Sequence, residues 1–123
     1  MGVKFVAAKV SRTDRRGRAI RLRFMVDSGV VYSVLPAVVW RALKLKPERS
    51  VEFTLADGTT MTRGVSECRF QINGLSATSP AVLGEAEDSP LLGAVTLETL
   101  GLMLNPLSRE LLPMRMMLAR LRS

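Results

Sequence analysis

Arg23-Phe24-Met25-Val26-Asp27-Ser28-Gly29-Val30-Val31-Tyr32-Ser33-Val34-Leu35-Pro36 sets one carboxylate between two apolar runs. An ionised carboxyl in apolar surroundings is disfavoured unless it is paired or hydrogen-bonded. A chain that puts Asp27 there either satisfies it with dedicated donors or uses it chemically. Asp, Ser and Gly are also ordinary turn residues, so the plainer reading is a turn between two strands. Upstream, Ile20, Leu22, Phe24 and Val26 alternate with Arg21, Arg23 and Met25. A period of two belongs to a strand with one buried and one wet face, and this strand ends at Asp27. Val3 to Val10 reads as its partner across the polar, glycine-containing turn from Ser11 to Arg18. Downstream, Val30, Val31, Val34 and Leu35 are expected to continue as a short strand. Pro36 then suits the first position of a helix that runs through Trp40, a core residue, to Leu43 and stops before Lys46-Pro47.

The remaining elements are equally short. Val51 to Leu55 alternates into Ala56-Asp57-Gly58-Thr59, and an Asp-Gly pair between strand-like arms predicts a hairpin with positive φ favoured at both central positions. Thr60 to Gly64 is its returning arm, and the hairpin is either a plain surface turn or a mobile cover over a site. Cys68, Phe70 and Ile72 alternate into a second hairpin turn at Asn73-Gly74, with Ala81-Val82-Leu83 beyond it. Glu85-Ala86-Glu87-Asp88 has the acidity of a metal site but no other recognisable ligand nearby, and reads as a solvated loop. Leu91-Leu92-Gly93 leads into a short helix from Val95 to Leu100 that Gly101 caps. Leu102 to Leu104 and Glu110 to Leu112 bracket a last hairpin. Residues 113–123 are apolar and basic, suited first to packing on a partner subunit, then to an anionic surface or to disorder.

A chain of 123 residues, 47% hydrophobic and 24% charged, is one globular domain by size and composition. No apolar run approaches the roughly 20 residues of a membrane-spanning helix, and the first residues lack the pattern of a secretion signal. The single Cys68 cannot form an intrachain disulfide and suits a reducing compartment, so a soluble cytoplasmic protein is expected. The absence of histidine removes Ser-His and Cys-His nucleophilic catalysis and histidine-ligated metals together. Asp14, Asp57 and Asp88 sit in turn-like surroundings, which leaves Asp27 as the one aspartate embedded in apolar sequence. A net charge of +7, from 18 basic against 11 acidic residues, attracts anions. The arginines are scattered, however, with only a loose cluster from Arg12 to Arg23, and one Trp and one Tyr make no platform for stacking bases. Nucleic-acid binding is therefore disfavoured as the main function.

Many short strands, Gly-rich turns and two short helices describe a small closed all-β structure. In that setting the chain resembles the retropepsin-like aspartic proteases, the single-lobe family of retroviral proteases and their cellular and prokaryotic relatives. Val26-Asp27-Ser28-Gly29 followed by Ser33-Val34-Leu35-Pro36 is similar to the family's catalytic loop and the turn behind it. Ala56-Asp57-Gly58-Thr59 falls where its flap hairpin does, and Leu91-Leu92-Gly93 matches its hydrophobic-hydrophobic-Gly element. The likeness runs from about Val3 to Leu112, giving a protease domain over 1–112 and a basic apolar tail over 113–123.

The resemblance implies a closed acid-protease barrel with one or two short helices, one lobe per chain, working as a homodimer on extended or unfolded polypeptides without metal or cofactor. Asp27 of each copy would share one proton across a two-fold axis, since like charges in contact cannot both stay ionised. One would take a proton from water as it attacks the peptide carbonyl; the other would donate to the developing oxyanion. Ser28 would brace the two loops and Gly29 would offer its N–H to the carboxylate. Ala56, Asp57, Gly58 and Thr59 would close over substrate, and Leu91, Leu92 and Gly93 would pack behind the catalytic loop. Val30 departs from the small residue usual after the glycine, which narrows a pocket or marks a site that binds without cleaving. The competing expectation is thus a catalytically inactive peptide-binding or dimerisation module of the same fold.

Overall fold

A computed structural model describes residues 3–114, so the proposed tail lies outside the described residues beyond Met114. Strands β1 (Phe5–Ser11) and β2 (Ile20–Val26) pair antiparallel, with Val10 opposite Ile20 and Phe5 opposite Met25. β2 then pairs in parallel with β7 (Leu91–Leu92), which pairs antiparallel with β3 (Ser33–Leu35). β3 lies parallel to β6 (Leu75–Leu83), β6 antiparallel to β5 (Thr60–Ile72), and β5 returns to β1 through Val10 and Phe70. Six strands thus close on themselves, which removes the free edges an open sheet would expose. The first half of β5 instead pairs with β4 (Arg49–Thr54) as a two-stranded ribbon. Helix α1 (Ala37–Ala42) follows β3, and α2 (Ala94–Thr99) follows β7. A small second sheet of β8 (Leu102–Leu104) and β9 (Leu111–Pro113) ends the described chain.

The alternating inward residues of these strands fill the barrel. Phe24 of β2 and Phe70 of β5 are both fully buried and meet with ring centroids 6.0 Å apart, tilted by 60°. Each such ring contributes about 1.5–3 kcal/mol by leaving water. Cys68, two residues before Phe70 on β5, is also fully buried, and burial, aided by the charges of Glu67 and Glu48, pushes its thiol up to about 12. It is packing material here rather than a nucleophile. Trp40 is half-buried against the core, and its indole N–H donates to Gly84 O at 2.9 Å.

The mostly β, closed, two-helix architecture agrees with the sequence reading, with several local corrections. Val30 and Val31 do not extend β3; they form a bend whose carbonyls accept from Ala94 and Val95 at 2.7 and 3.0 Å. Their hydrogen bonds go to a helix end, so none is left for a ladder. Pro36 is the N-cap of α1, in extended conformation, rather than its first helical residue. The arm expected at Thr60–Gly64 and the strand around Cys68 are one continuous strand of 13 residues, in which Val65 pairs with both Arg49 and Val82. At the Asp57-Gly58 hairpin only Gly58 has positive φ, +88°. Leu55 O accepts from Gly58 N at 2.9 Å, a turn centred on Ala56 and Asp57 that a left-handed glycine closes. The Asn73-Gly74 turn does have both residues left-handed, at 47° and 83°, as a two-residue hairpin between Ile72 and Leu75 requires. Neither helix is long and apolar enough to cross a membrane.

Candidate active site

Asp27 stands where β2 leaves the barrel wall. Its backbone N–H donates to Leu92 O at 3.0 Å, and one carboxylate oxygen, Oδ1, accepts from Gly29 N–H at 2.9 Å. The carboxylate is half-exposed, not enclosed as the flanking apolar runs suggest. The second run is itself at the surface, with Val31 59% exposed. Asp27, Ser28, Met25, Val3, Leu104 and Arg109 share a recess of about 210 Å³ that holds no second carboxylate among the described residues. Ser28 is exposed, and its hydroxyl has no hydrogen-bond partner among the described residues.

Behind the loop lies Leu91-Leu92-Gly93, of which Leu91 and Leu92 form β7. β7 inserts between β2 and β3, so the strand carrying Asp27 and the strand after the loop are tied through one dipeptide. Gly93 is buried, and a Cβ there would lie 2.7 Å from the carbonyl carbon of Tyr32 and 2.8 Å from the oxygens of Tyr32 and Val30. The helix α2 begins immediately afterwards with no side-chain cap, and the loop carbonyls of Val30 and Val31 serve its first N–H groups instead.

A buried hydroxyl network, not anticipated from sequence, completes the support. Thr96 Oγ1 is hydrogen-bonded to both Ser33 Oγ and Ser79 Oγ, the latter at 2.8 Å, and Ser33 Oγ accepts from Gly93 N–H at 3.0 Å. All three hydroxyl residues are essentially without solvent contact. The available signal was Thr96 itself, a hydroxyl on the core-facing side of a short apolar helix. Thr96→Val keeps the shape but leaves the Ser33 and Ser79 hydroxyls short of a partner. We expect a loss of about 1–3 kcal/mol in urea denaturation, with Thr96→Ser much closer to the parent. Equal stability of all three proteins would show that the network contributes nothing.

An apolar groove of about 730 Å³ runs between the loop and the β4–β5 ribbon. Val30, Val31, Val34 and Leu91 form one wall, and Val51, Phe53, Leu55 and Met61 the other. Tyr32 meets Phe53 edge to face across it, with centroids 6.3 Å apart, and Arg49 lies 5.6 Å over the Tyr32 ring. The ribbon's arms line the groove, whereas its tip residues Ala56, Asp57, Gly58 and Thr59 do not. At that tip the Asp57 carboxylate accepts from the Thr59 hydroxyl at 2.6 Å and from Thr59 N–H at 2.9 Å, which lowers its pKa. The acidic stretch 85–88 is used internally: Asp88 accepts from Glu85 N–H at 2.7 Å, and Glu85 pairs with Arg63. Among the described residues no three or more carboxylate or thiol side chains gather as metal ligands.

A strand-borne Asp-Ser-Gly loop, backed by a Leu-Leu-Gly element and continuing into Val30 and Val31 on the wall of an apolar groove that Asp27, Ser28 and Gly29 do not themselves line, has a counterpart among known proteins. The aspartyl protease family model matches residues 13–96. This chain belongs to the aspartyl protease family. The matched span contains the loop, the ribbon and the backing element of this chain. The solution structure of simian foamy virus (mac) protease is similar in fold, with a TM-score of 0.56. The two sequences are 15% identical over an alignment that covers 77% of this chain and 92% of the viral one. The fold is therefore retropepsin-like, one lobe per chain. No curated protein matches this chain in sequence.

Proposed function

We propose that the protein is an aspartic endopeptidase that hydrolyses extended or unfolded polypeptides at a site shared by two copies of the chain. The observation that carries this reading is Asp27: one carboxylate, aimed by a backbone N–H at a recess that holds no other carboxylate among the described residues. Water activation between two carboxylates requires a second one, and a second Asp27 related by a two-fold axis supplies it. The ionised member takes a proton from water, and the resulting hydroxide attacks the peptide carbonyl carbon. The protonated member donates to the carbonyl oxygen. Collapse of the intermediate breaks the C–N bond as the amine leaves with a proton from the dyad.

Ser28 would brace one loop against its copy; its hydroxyl is exposed and uncommitted among the described residues, which supports this role. The groove walls would take side chains of an extended substrate, and the tip Ala56 to Thr59 would fold over it. We assign the protease domain to residues 1–112 and a separate role to the basic apolar tail over 113–123. No metal, cofactor or nucleic acid enters the proposed reaction. The free, buried Cys68 suits a reducing cytoplasmic setting. The second reading, a module that binds peptides without cutting them, draws on the β-branched Val30 at the groove wall.

Dilution tests the shared site. Specific activity on an unfolded protein should fall as the chain is diluted through its dimer dissociation. Adding excess Asp27→Asn chain at fixed parent concentration should poison activity by forming mixed dimers. Activity proportional to concentration throughout, and indifferent to the variant, would rule the shared site out. A stable dimer that binds peptide and never cleaves would establish the second reading.

A further inference from the structure

A second concavity, of about 680 Å³, lies between the β1–β2 loop, the C-terminal end of α1 and the middle of β5. None of its lining residues lines the apolar groove. Its walls carry five cations against two carboxylates, Glu48 and Glu67. Arg12 is structural: it holds Asp14 through Nε and a terminal nitrogen at 2.9 and 2.7 Å, and donates to Lys44 O at 2.8 Å. Arg12 above all, with the N–H of Arg16, keeps the Asp14 carboxyl down at about 2, so this brace stays charged. Glu48 is also committed, accepting from Glu67 N–H at 2.7 Å and from the Ser66 hydroxyl at 3.2 Å.

The side chains of Arg16, Arg18, Lys44 and Lys46 remain, and none has a hydrogen bond or ion pair among the described residues. Arg16 feels the nearby Asp14 carboxylate, but gathering it with three further cations that hold no hydrogen-bonded partner at one concavity is still self-repulsive while the cleft stands empty. Lys44 adds a backbone cost. It occupies the left-handed position after α1, φ 58°, inside a closing pattern in which Lys44 N–H bonds Arg41 O and Leu45 N–H bonds Trp40 O. Glycine is the stabler residue there by about 1 kcal/mol, yet a cation stands in its place.

We propose that this cleft binds an acidic segment of a polypeptide. Its use as a docking site for substrate, outside the stretch that is cleaved, rests on the protease reading above. No aromatic side chain lines the cleft, so bases have nothing to stack on. Glu67 and Glu48 interrupt the positive surface, which suits spaced carboxylates and peptide N–H groups better than a continuous phosphate chain. The cleft is also within reach of the groove. Arg63 lines the groove, and Ser66 and Glu67 line the cleft, three or four residues on along β5 or about 10–13 Å. A few extended residues of one polypeptide span that distance.

Binding of labelled poly-glutamate and poly-glutamine peptides to the full chain carrying Asp27→Asn decides the matter without any cleavage. Poly-glutamate should bind, poly-glutamine should not, and R16E/K46E should weaken poly-glutamate by about tenfold or more with its thermal melt unchanged. Absent binding, equal binding by R16E/K46E, or tighter binding of a single-stranded RNA through the same two residues would overturn the proposal. A second arm compares two substrates sharing one cleaved stretch, with and without an attached glutamate segment. The acidic substrate should show a lower KM at similar kcat, and R16E/K46E should erase the difference while cutting the neutral substrate normally. Cleavage of neither substrate alongside normal peptide binding would defeat the protease reading and leave the cleft standing.

Discussion

Asp27→Asn should abolish the proposed peptide hydrolysis, by about 10³-fold or more, while leaving the fold and the chain's state of assembly unchanged. Asparagine keeps an oxygen where Oδ1 accepts from Gly29 N–H at 2.9 Å, and the backbone bond from residue 27 to Leu92 O is indifferent to the side chain. What disappears is the ability to take a proton from water and return it to the leaving amine. In a two-fold site the substitution removes both carboxylates at once, so no partner compensates. The check is a cleavage assay at a concentration where sedimentation shows the same state of assembly for both proteins, together with matching circular dichroism. Retained cleavage by the asparagine protein would remove Asp27 from the chemistry and with it the proposed function.

Gly93→Ala should be nearly as damaging by a different route, costing about 3 kcal/mol or more of stability. The backbone at Gly93 has φ −96° and ψ 179°, which alanine adopts freely, so the penalty is steric alone. The added methyl carbon would sit 2.7–2.8 Å from backbone atoms of Val30 and Tyr32. Those atoms cannot retreat easily, because Val30 O and Val31 O are held by Ala94 and Val95 N–H. Urea denaturation measures the loss, and activity should fall with it since the loop carrying Asp27 is the part displaced. An unchanged midpoint would mean that the loop relaxes at little cost, and that its rigidity has been overstated.

Much of the fold was legible because its signals are local. The alternation from Ile20 to Val26 needed only the period of a strand, and Asn73-Gly74 only the φ preferences of two residues. Gly101, left-handed at 75° after α2, was readable for the same reason. The unread parts depend on partners distant in sequence. Val30 and Val31 look like strand residues, and only the arrival of α2 about 60 residues later takes their carbonyls away from a ladder. Gly64 looked like the end of an arm, yet Val65 beyond it pairs on both sides and carries the strand into the barrel. The Ser33–Thr96–Ser79 network joins three segments whose hydroxyls are individually unremarked. The cationic cleft likewise assembles the β1–β2 loop and the end of α1, which composition could register only as scattered charge.

The two walls of the apolar groove differ mechanically. The loop wall is welded to α2 and to β7, whereas the opposite wall is a ribbon whose outer strand, β4, has β5 as its neighbour. Such a groove behaves like a vice with one fixed and one sprung jaw. If the groove takes substrate as proposed, selectivity for side-chain bulk should be set against Val30 and Val31, whose backbone is tied to α2, while the ribbon side is the freer one to adjust. Variation in the ribbon should accordingly broaden or narrow what is accepted, and variation in the fixed jaw should decide whether anything is accepted at all.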